Sequence, residues 1–343
     1  MSVPEPILRH ALLVERGLRS VFDQESFPLY HLMEYQLGWR DEYGAPMDFP
    51  VPQTRLYAAM CLLACEATGG DLDQALPAAT ALELLYQFIQ VHSDVQEGSQ
   101  ERHNRHAVWW VWGPAQAINV GDGLHALGRL ALMRVKERNV DPEETLRLLA
   151  ILDGAALRTF EGMHQDMVYQ ERIDITIDAY LKMAREKSGA LMGCALELGA
   201  SAGGASLSKG QTFRQFGEDL GLAFHVQEDI QMLWGEPLSG KAKGTDLLNK
   251  KKGFPVLQAL DQAPISQKRE LGTLFMKRVL ELPDLEQLTA ILEGHNARAN
   301  AQDKAGEICN VALSHLQDTG LPTSAMEDLR QVAHWLALRE GMS

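Results

Sequence analysis

Apolar residues recur along most of the chain at steps of three and four residues, which is the spacing of one face of an α-helix. Between residues 72 and 97 the repeat runs through Leu82, Leu85 and Ile89. No alternating pattern of useful length predicts a β-strand. The patterning predicts an all-α protein, with further helices over residues 4–37 (two helices), 53–68, 142–168, 175–198 and 209–234 and in the C-terminal part of the chain.

Two segments between the predicted helices have the composition of loops. Residues 36–52 contain three prolines and two glycines, which interrupt helices, and residues 238–255 contain five lysines. A lysine cluster beside an acidic helix end is typical of a phosphate-binding lid, and a solvated basic loop is the alternative. Asp122, at the start of another apolar pattern, is expected to be a helix N-cap.

Composition sets limits on the protein class. The chain has 343 residues, 45% of them hydrophobic, which is enough to bury a large core. It has no apolar stretch of about 18 residues and no apolar N-terminal signal, so we expect a soluble, cytoplasmic protein without stable membrane insertion. The net charge of −14 argues against nucleic acid as a partner. An anionic substrate stays possible, because local lysines and metal ions can reverse the field in one pocket.

Two acidic clusters carry the candidate chemistry. Asp94 and Glu97 lie three residues apart at the end of the predicted helix 72–97, which places their Cβ atoms about 5–6 Å apart on one helical face. Glu228 and Asp229 follow an apolar run near another helix end. If the two ends face each other across a bundle, magnesium ions could bridge them to a polyphosphate. The alternative is that each cluster is a solvated helix terminus.

Several motifs occur in an order that is similar to one enzyme family. Together they resemble the trans-isoprenyl diphosphate synthases, also called the polyprenyl synthetase family, over about residues 36–255. The motifs are a histidine with a degenerate aspartate-rich motif at 92–97, a second such motif at 224–232, and between and after them the segments 121–122, 161–166, 187–188 and 240–255.

The resemblance implies a fold and a reaction. The expected fold is a single large helical bundle of the isoprenoid synthase type over residues 1–343, with a central cavity and the loops 36–52 and 238–255 at its mouth. The expected cofactor is Mg²⁺, the expected substrate a short allylic prenyl diphosphate, and the expected assembly a homodimer. Metal ions and basic side chains draw the diphosphate away, and the remaining carbocation alkylates an acceptor, which in the family is isopentenyl diphosphate.

The resemblance also assigns roles to residues at matching positions. Phe88, five residues before Ser93, is expected to limit the product to short chains. His92 and His225 are expected to support neighbouring groups, while the released diphosphate takes the last proton. The assigned sets are the metal ligands Asp94, Glu97, Glu228 and Asp229, the diphosphate-binding residues Arg102, Lys187, Lys241 and Lys251, the catalytic residues Asp94, Lys187 and Asp229, and the cavity residues Phe88, Tyr86 and Phe224.

The chain departs from the family pattern unevenly. Ser93 replaces the first aspartate of the first motif and Met232 ends the second, so metal binding is expected to be weaker or differently centred. The larger change concerns the second diphosphate, because tyrosine and threonine supply no cation. We therefore expect one diphosphate site to be kept and the second to be altered at Thr54, Tyr57, Tyr86 and His103.

Three functions are compatible with this pattern. The first is prenyl transfer from an allylic diphosphate to an acceptor. The second is a terpene cyclase on the same fold, in which the cation is captured within its own chain and aromatic side chains steady it. The third is a catalytically silent partner subunit of a prenyl synthase, against which the retained Arg102, Lys187 and Lys241 argue.

Overall fold

The computed structural model describes residues 2–22, 27–48, 53–317 and 319–339. These residues form a helical bundle, and the all-α prediction is confirmed. Its helices are α1 (Glu5–Leu8), α2 (Ala11–Phe22), α3 (Pro28–Gln36), α4 (Leu56–Ala67), α5 (Leu72–Glu97), α6 (Val108–Trp112), α7 (Pro114–Met133), α8 (Pro142–Gln170), α9 (Ile177–Ala184), α10 (Ala190–Ala202), α11 (Leu207–Trp234), α12 (Thr245–Leu248), α13 (Phe254–Gln262), α14 (Ile265–Met276), α15 (Leu282–Gly294), α16 (Ala297–Ser314) and α17 (Thr323–Leu338).

Helix α5 lies at the centre of the bundle, between α4, α7 and α10. Asp71 caps its N-terminus by accepting a hydrogen bond from the Asp73 amide at 3.0 Å. It ends at Gly98, whose φ of 66° is the left-handed conformation that glycine adopts without strain. Most of its side chains are buried, because neighbouring helices cover it on several sides. The predicted boundaries 72–97 are confirmed.

The buried apolar residues form a main cluster in the bundle and a smaller one beside it. The smaller cluster joins the end of α11 to α12–α15 and includes Leu233, Val256 and Phe275. Trp234 and Leu260 pack against both clusters, so the two are continuous. This packing fixes the segment between α11 and α13 against the end of the bundle.

Some expectations about local structure were wrong. Asp122 lies inside α7 with its side chain 68% exposed, so it is no N-cap. Glu101–Arg102 and Arg105–His106 pair as β1 and β2 of a short antiparallel hairpin that the pattern did not predict. Three helices, α1–α3, replace the two predicted over residues 4–37, and the predicted break near Ser26 lies outside the described residues.

The two segments that were predicted as loops have different structures. Residues 37–48 connect helices through turns and one isolated bridge, while positions 49–52 lie outside the described residues. The segment 238–255 includes the single turn α12 and ends inside α13. Among the helices that the structure describes, none is long and apolar enough to cross a bilayer.

Candidate active site

A cavity of about 160 Å³ opens between α4, α5, α8, α10 and α11 and the segment 239–256. Ile89, Leu191 and Phe224 form part of its apolar wall. Basic and acidic side chains gather on the side that faces residues 239–256. The charged side chains that line the cavity are Arg102, Asp166, Lys187, Glu228, Asp229, Lys241, Asp246, Lys251 and Lys252.

Arg102, which lines the cavity, forms a buried ion pair with Asp94. Gly98 ends α5 and turns the chain back, so Arg102 on β1 reaches the last turn of the helix. Its Nη2 lies 2.6 Å and its Nε 3.0 Å from the Asp94 carboxylate, and its Nη1 donates to the Ser239 carbonyl at 2.6 Å. Burial raises the pKa of Asp94, and the guanidinium opposes that shift.

Glu97 is held by two lysines. Lys241 and Lys251 both donate to its carboxylate, the latter at 2.7 Å, and Ser93 Oγ donates at 3.0 Å. Burial alone would raise the pKa of Glu97, but the two ammonium groups outweigh it and hold the pKa well below the usual range. Glu97 therefore stays ionised inside the protein.

The same lysines contact two further carboxylates. Asp166 on α8 lies 2.7 Å from Lys187 Nζ and 3.0 Å from Lys251 Nζ. Burial opposes ionisation of Asp166, and the lysines nevertheless hold its pKa below the usual range. Asp246 lies 3.3 Å from Lys241 and 3.7 Å from Lys251. We call the six residues the lysine–carboxylate cluster: Glu97, Asp166, Asp246, Lys187, Lys241 and Lys251.

Glycine brings the helices of this cluster together. A Cβ atom on Gly162 of α8 would lie 2.4 Å from the Lys187 backbone nitrogen. Only a glycine at this position lets α8 approach the chain at Lys187 so closely. Asp166, one turn after Gly162, therefore reaches the Lys187 ammonium.

The second acidic motif is engaged differently. Glu228 accepts hydrogen bonds from the Leu238 and Ser239 amides at 2.9 and 3.0 Å, and from Arg339 at 2.7 Å. Asp229 accepts from Tyr180 Oη at 2.5 Å and from the Phe254 amide at 2.7 Å. Burial raises the pKa of Asp229 to about 7. These bonds fix the segment after α11 and the start of α13.

Carboxylate oxygens are the ligands that Mg²⁺ prefers, so the carboxylates of the two acidic motifs have the right chemistry for magnesium. In the described residues, however, no group of three or more His, Cys, Asp or Glu side chains is arranged to hold a metal ion. Each acidic side chain of the two motifs already faces an ammonium, a guanidinium, a hydroxyl or a backbone amide. These residues can hold a metal only after some of those partners move.

The region assigned to the second diphosphate is occupied by aromatic rings. Tyr57 is buried and Tyr86 is partly buried; both line the cavity, and their ring centroids lie 4.7 Å apart. His103 is half-buried, and burial together with the nearby arginines lowers its pKa to about 4, so it is neutral at pH 7. Tyrosine and neutral histidine offer a diphosphate no positive charge.

Arg55, a cation that remains in this region, is buried and committed to internal partners. It lies 2.9 Å from Glu15 and 3.3 Å from Glu83, and it donates to the Leu37 carbonyl at 2.7 Å. Its charge is thus compensated within the protein. We call Thr54, Tyr57, Tyr86 and His103 the tyrosine region.

The three predicted cavity residues have different surroundings. Tyr86 and Phe224 line the cavity. Phe88 is buried and packs against the rings of His92, His125 and Phe160 at 4.5, 5.2 and 5.4 Å, behind the lining residues. Its role in limiting chain length stays a prediction.

Sequence reasoning missed Tyr180 and Arg339. Tyr180 is fully buried against Asp229, and Arg339 reaches Glu228 from the last described residue after α17. Neither residue lies in a recognised motif, so the sequence offered no signal for them. Asp166 and Asp246 lie in motifs that were recognised, yet their contacts with the lysines depend on tertiary structure.

The chain is similar to proteins of known family. The sequence profile described as polyprenyl synthetase matches residues 52–292. A geranylgeranyl diphosphate synthase of Mycobacterium tuberculosis is 32% identical over 295 residues, covering 85% of this chain and 82% of that protein. A (2E,6E)-farnesyl diphosphate synthase of Mycobacterium bovis is 28% identical over 343 residues, covering 99% and 94%.

A crystal structure gives the same result for the fold. The polyprenyl synthetase of Streptomyces coelicolor A3(2) superposes with a TM-score of 0.87 at 30% identity, covering 98% of this chain and 99% of that one. The predicted helical fold of the isoprenoid synthase type is confirmed.

Proposed function

Because this chain belongs to the polyprenyl synthetase family, we propose that it binds a short allylic prenyl diphosphate, ionises it and transfers the prenyl cation to an acceptor. Membership confirms the resemblance found in the sequence and the enzyme class, since the relatives named farnesyl and geranylgeranyl diphosphate synthases are prenyltransferases. The substrate and acceptor proposed for this chain rest on its own residues.

The single observation that supports this function is a cavity that combines an apolar part with a set of cations, which are interleaved with carboxylates. Arg102 on β1, Lys187 just before α10, and Lys241 and Lys251 of the segment 239–256 all line it. A prenyl chain suits the apolar part of the cavity, and a diphosphate suits the four cations. Cations fixed in a buried site stabilise the charge that develops on a departing diphosphate.

We propose Mg²⁺ as the cofactor, held by Glu97, Glu228 and Asp229, with Asp94 as the further assigned ligand. When bound, the metal supplies Lewis-acid stabilisation of the leaving group. In the resting arrangement Lys241 and Lys251 neutralise Glu97. A diphosphate that draws these ammonium groups to itself would free the carboxylate, so metal and diphosphate should bind together. Calorimetric titration of Mg²⁺ should show binding only when inorganic diphosphate is present, and equal affinity without it would contradict this coupling.

The acceptor should lack a diphosphate group. The tyrosine region presents the rings of Tyr57 and Tyr86 where a second diphosphate would need cations, and Arg55 is already paired. A second diphosphate placed there would be desolvated without compensation, which is strongly unfavourable.

The tyrosine pair also supports a second candidate, cyclisation of the prenyl cation within its own chain. An aromatic π face can steady a cation by about 0.5–2 kcal/mol. Tyr57 and Tyr86 both line the cavity and are therefore in reach of a bound cation. In this case no acceptor would be needed.

One incubation separates the candidates. The protein is given geranyl or farnesyl diphosphate with Mg²⁺, with and without isopentenyl diphosphate and with a panel of neutral acceptors, and the products are identified by mass spectrometry. A prenylated neutral acceptor supports transfer, and a hydrocarbon or terpene alcohol formed alone supports cyclisation. A longer diphosphate that requires isopentenyl diphosphate would contradict the altered second site. No turnover with either Mg²⁺ or Mn²⁺ would favour the third function, a catalytically silent partner subunit of a prenyl synthase.

We also propose that the chain forms a homodimer. Trp110 on α6 and Ile118 and Leu130 on α7 are each about half exposed, and a second copy of the chain that packs on α6 and α7 would cover them. Light scattering coupled to size exclusion should give twice the chain mass, and Ile118→Glu should shift it towards the monomer. A monomeric wild-type protein would contradict the proposal.

A further inference from the structure

Ser188 and His225 face each other on the cavity wall. Ser188 Oγ lies 2.7 Å from His225 Nδ1, and both residues line the cavity. Ser188 belongs to a π-helical turn, Arg185–Gly189, inserted between α9 and α10. Such turns interrupt regular hydrogen bonding and are frequent at functional sites.

The fold fixes this pair rigidly. One turn before His225, a Cβ atom on Gly221 would lie 2.6 Å from the Ser188 carbonyl oxygen, so glycine is required for the close approach of the two segments. The Tyr180 ring packs against the imidazole with centroids 5.9 Å apart. The imidazole thus lies between the Ser188 hydroxyl and the buried Tyr180 ring. The Tyr180 hydroxyl in turn donates a hydrogen bond to Asp229.

Among the described residues, the hydrogen bond of the His225 side chain is the one from Nδ1 to Ser188, and Nε2 makes none. If Nδ1 carries the proton and donates a hydrogen bond to Ser188 Oγ, Nε2 keeps a free lone pair on a residue that lines the cavity. Burial and the nearby Lys187 ammonium lower the pKa of His225 to about 3. The imidazole is therefore neutral, and it neither repels a cation nor protonates the substrate.

We infer that His225, oriented by Ser188, is the base that ends the reaction by taking a proton from the carbon next to the cationic centre. This inference rests on the proposed function. The C–O bonding pair has already left with the diphosphate. The C–H bond then breaks, its electron pair forms the C=C bond, and the proton binds Nε2, from which it passes to solvent after product release.

A weak base suffices for this step. A carbocation is a very strong acid, so a neutral imidazole accepts its proton readily despite the low pKa. Position matters more than basicity, because the base must contact the cation before water does. The step is the same whether the cation forms on a prenylated acceptor or within the prenyl chain itself. The base is thus a residue of the chain, in contrast to the expectation from the family resemblance.

The test compares His225→Gln with His92→Gln. Both histidines lie beside an acidic motif, but His92 bonds to the Ile118 carbonyl at 3.3 Å and lies behind the lining residues. Each protein is incubated with farnesyl diphosphate, Mg²⁺ and the same panel of neutral acceptors, and the ratio of proton-loss product to released diphosphate is measured. His225→Gln should lower this ratio about tenfold or more, with water-capture alcohols in its place, because a positioned base contributes about 10²–10⁴-fold.

An unchanged ratio in His225→Gln would overturn the inference while leaving the proposed function intact. Wild-type protein that releases no diphosphate would overturn both. An equal fall in His92→Gln would show a general disturbance of the cavity and would also overturn the assignment of His225. Circular dichroism confirms that each variant is folded before the ratios are compared.

Ser188 is a positioning residue in this account. Ser188→Ala should lower the ratio about threefold, less than loss of the base itself, and Ser188→Thr should restore it because the hydroxyl is kept. Imidazole ¹⁵N shifts should show His225 protonated at Nδ1 in the wild type and lose that preference in Ser188→Ala. A wild-type imidazole protonated at Nε2 would contradict the inference directly.

Discussion

The lysine–carboxylate cluster and the two tyrosines of the tyrosine region, Tyr57 and Tyr86, lie at the same cavity and differ in charge. In the cluster, three lysines and three carboxylates lie buried or partly buried together and compensate one another. In the tyrosine region, Tyr57 and Tyr86 pack as rings, and Arg55 is paired inside the protein. Lys187, Lys241 and Lys251 line the cavity, and Arg55 does not.

Under the proposed function, this difference would explain how one site of a two-substrate enzyme changes while the other is kept. The residues of the cluster depend on one another, because loss of one lysine or carboxylate leaves the remaining charges less well compensated. Residues of the tyrosine region can be replaced one at a time at a lower cost in stability. Substitutions in the cluster and in the tyrosine region should therefore have unequal effects.

Lys251→Met should have the largest effect on the cluster. Lys251 Nζ lies 2.7 Å from Glu97 and 3.0 Å from Asp166, and its removal leaves both carboxylates short of a counterion. We expect a loss of about 3–5 kcal/mol in the free energy of unfolding and loss of turnover. Urea denaturation and diphosphate release measure the two effects. Lys243→Met, an exposed lysine of the same segment, is the control, and similar results for both variants would contradict the role of the cluster.

Phe88→Ala tests the end of the cavity beyond both regions. Loss of the buried ring should cost about 3 kcal/mol of stability and connect its space to the cavity, so that longer prenyl chains are accepted. Product lengths are read by mass spectrometry, with Phe88→Leu as the volume control. Unchanged product length in a folded alanine variant would remove Phe88 from the determinants of chain length.

His103→Asn tests whether the tyrosine region is uncharged. The pKa of His103 is lowered to about 4 in the folded state, below its unfolded value of about 6.5. Between these values the unfolded chain binds a proton that the folded chain does not, so stability falls as pH drops from 6.5 towards 4. His103→Asn has no group that titrates here. Between pH 6.5 and 4 its free energy of unfolding should therefore fall by about 2 kcal/mol less than that of the wild type.

The measurement is urea denaturation of both proteins at several pH values, with His106→Asn as a half-exposed control. Parallel pH profiles for wild type and His103→Asn would mean that His103 is not held neutral by its surroundings.

The double variant Thr54→Lys with Tyr57→Arg should partly reverse the asymmetry. Two added cations give a second diphosphate the partners that the wild-type region lacks, so kcat/KM for isopentenyl diphosphate should rise about tenfold. Thr54→Gln with Tyr57→Phe supplies no charge and should give no gain. If neither variant gains, features other than missing cations exclude the second diphosphate.

Local patterns predicted the helices well. The span of α5 follows from its apolar repeat between Asp71 and Gly98, and the start of α8 follows from Pro142. They failed for Asp122, which was expected to cap a helix because an apolar pattern begins there. Instead Gly121 lets the His92 ring pack closely against an unbroken α7, which the local sequence does not reveal.

The site was predictable as a set of motifs but not as a network. The residues Glu97, Lys241 and Lys251 were recognised, yet that both lysines neutralise the same carboxylate depends on contacts across more than a hundred residues. The Ser188 and His225 pair likewise needs the packing at Gly221. Side-chain pairing depends on tertiary structure, so it cannot be derived from a repeat of apolar positions.

The central claim is that one diphosphate site is kept and the other is changed. Calorimetry with unreactive farnesyl and isopentenyl thiodiphosphates, in the presence of Mg²⁺, tests it most directly. The account predicts one bound farnesyl analogue per chain, and binding of the isopentenyl analogue about a hundredfold weaker, because charge-assisted contacts are missing for it. Binding of both analogues together, at separate sites and with similar affinity, would contradict the account.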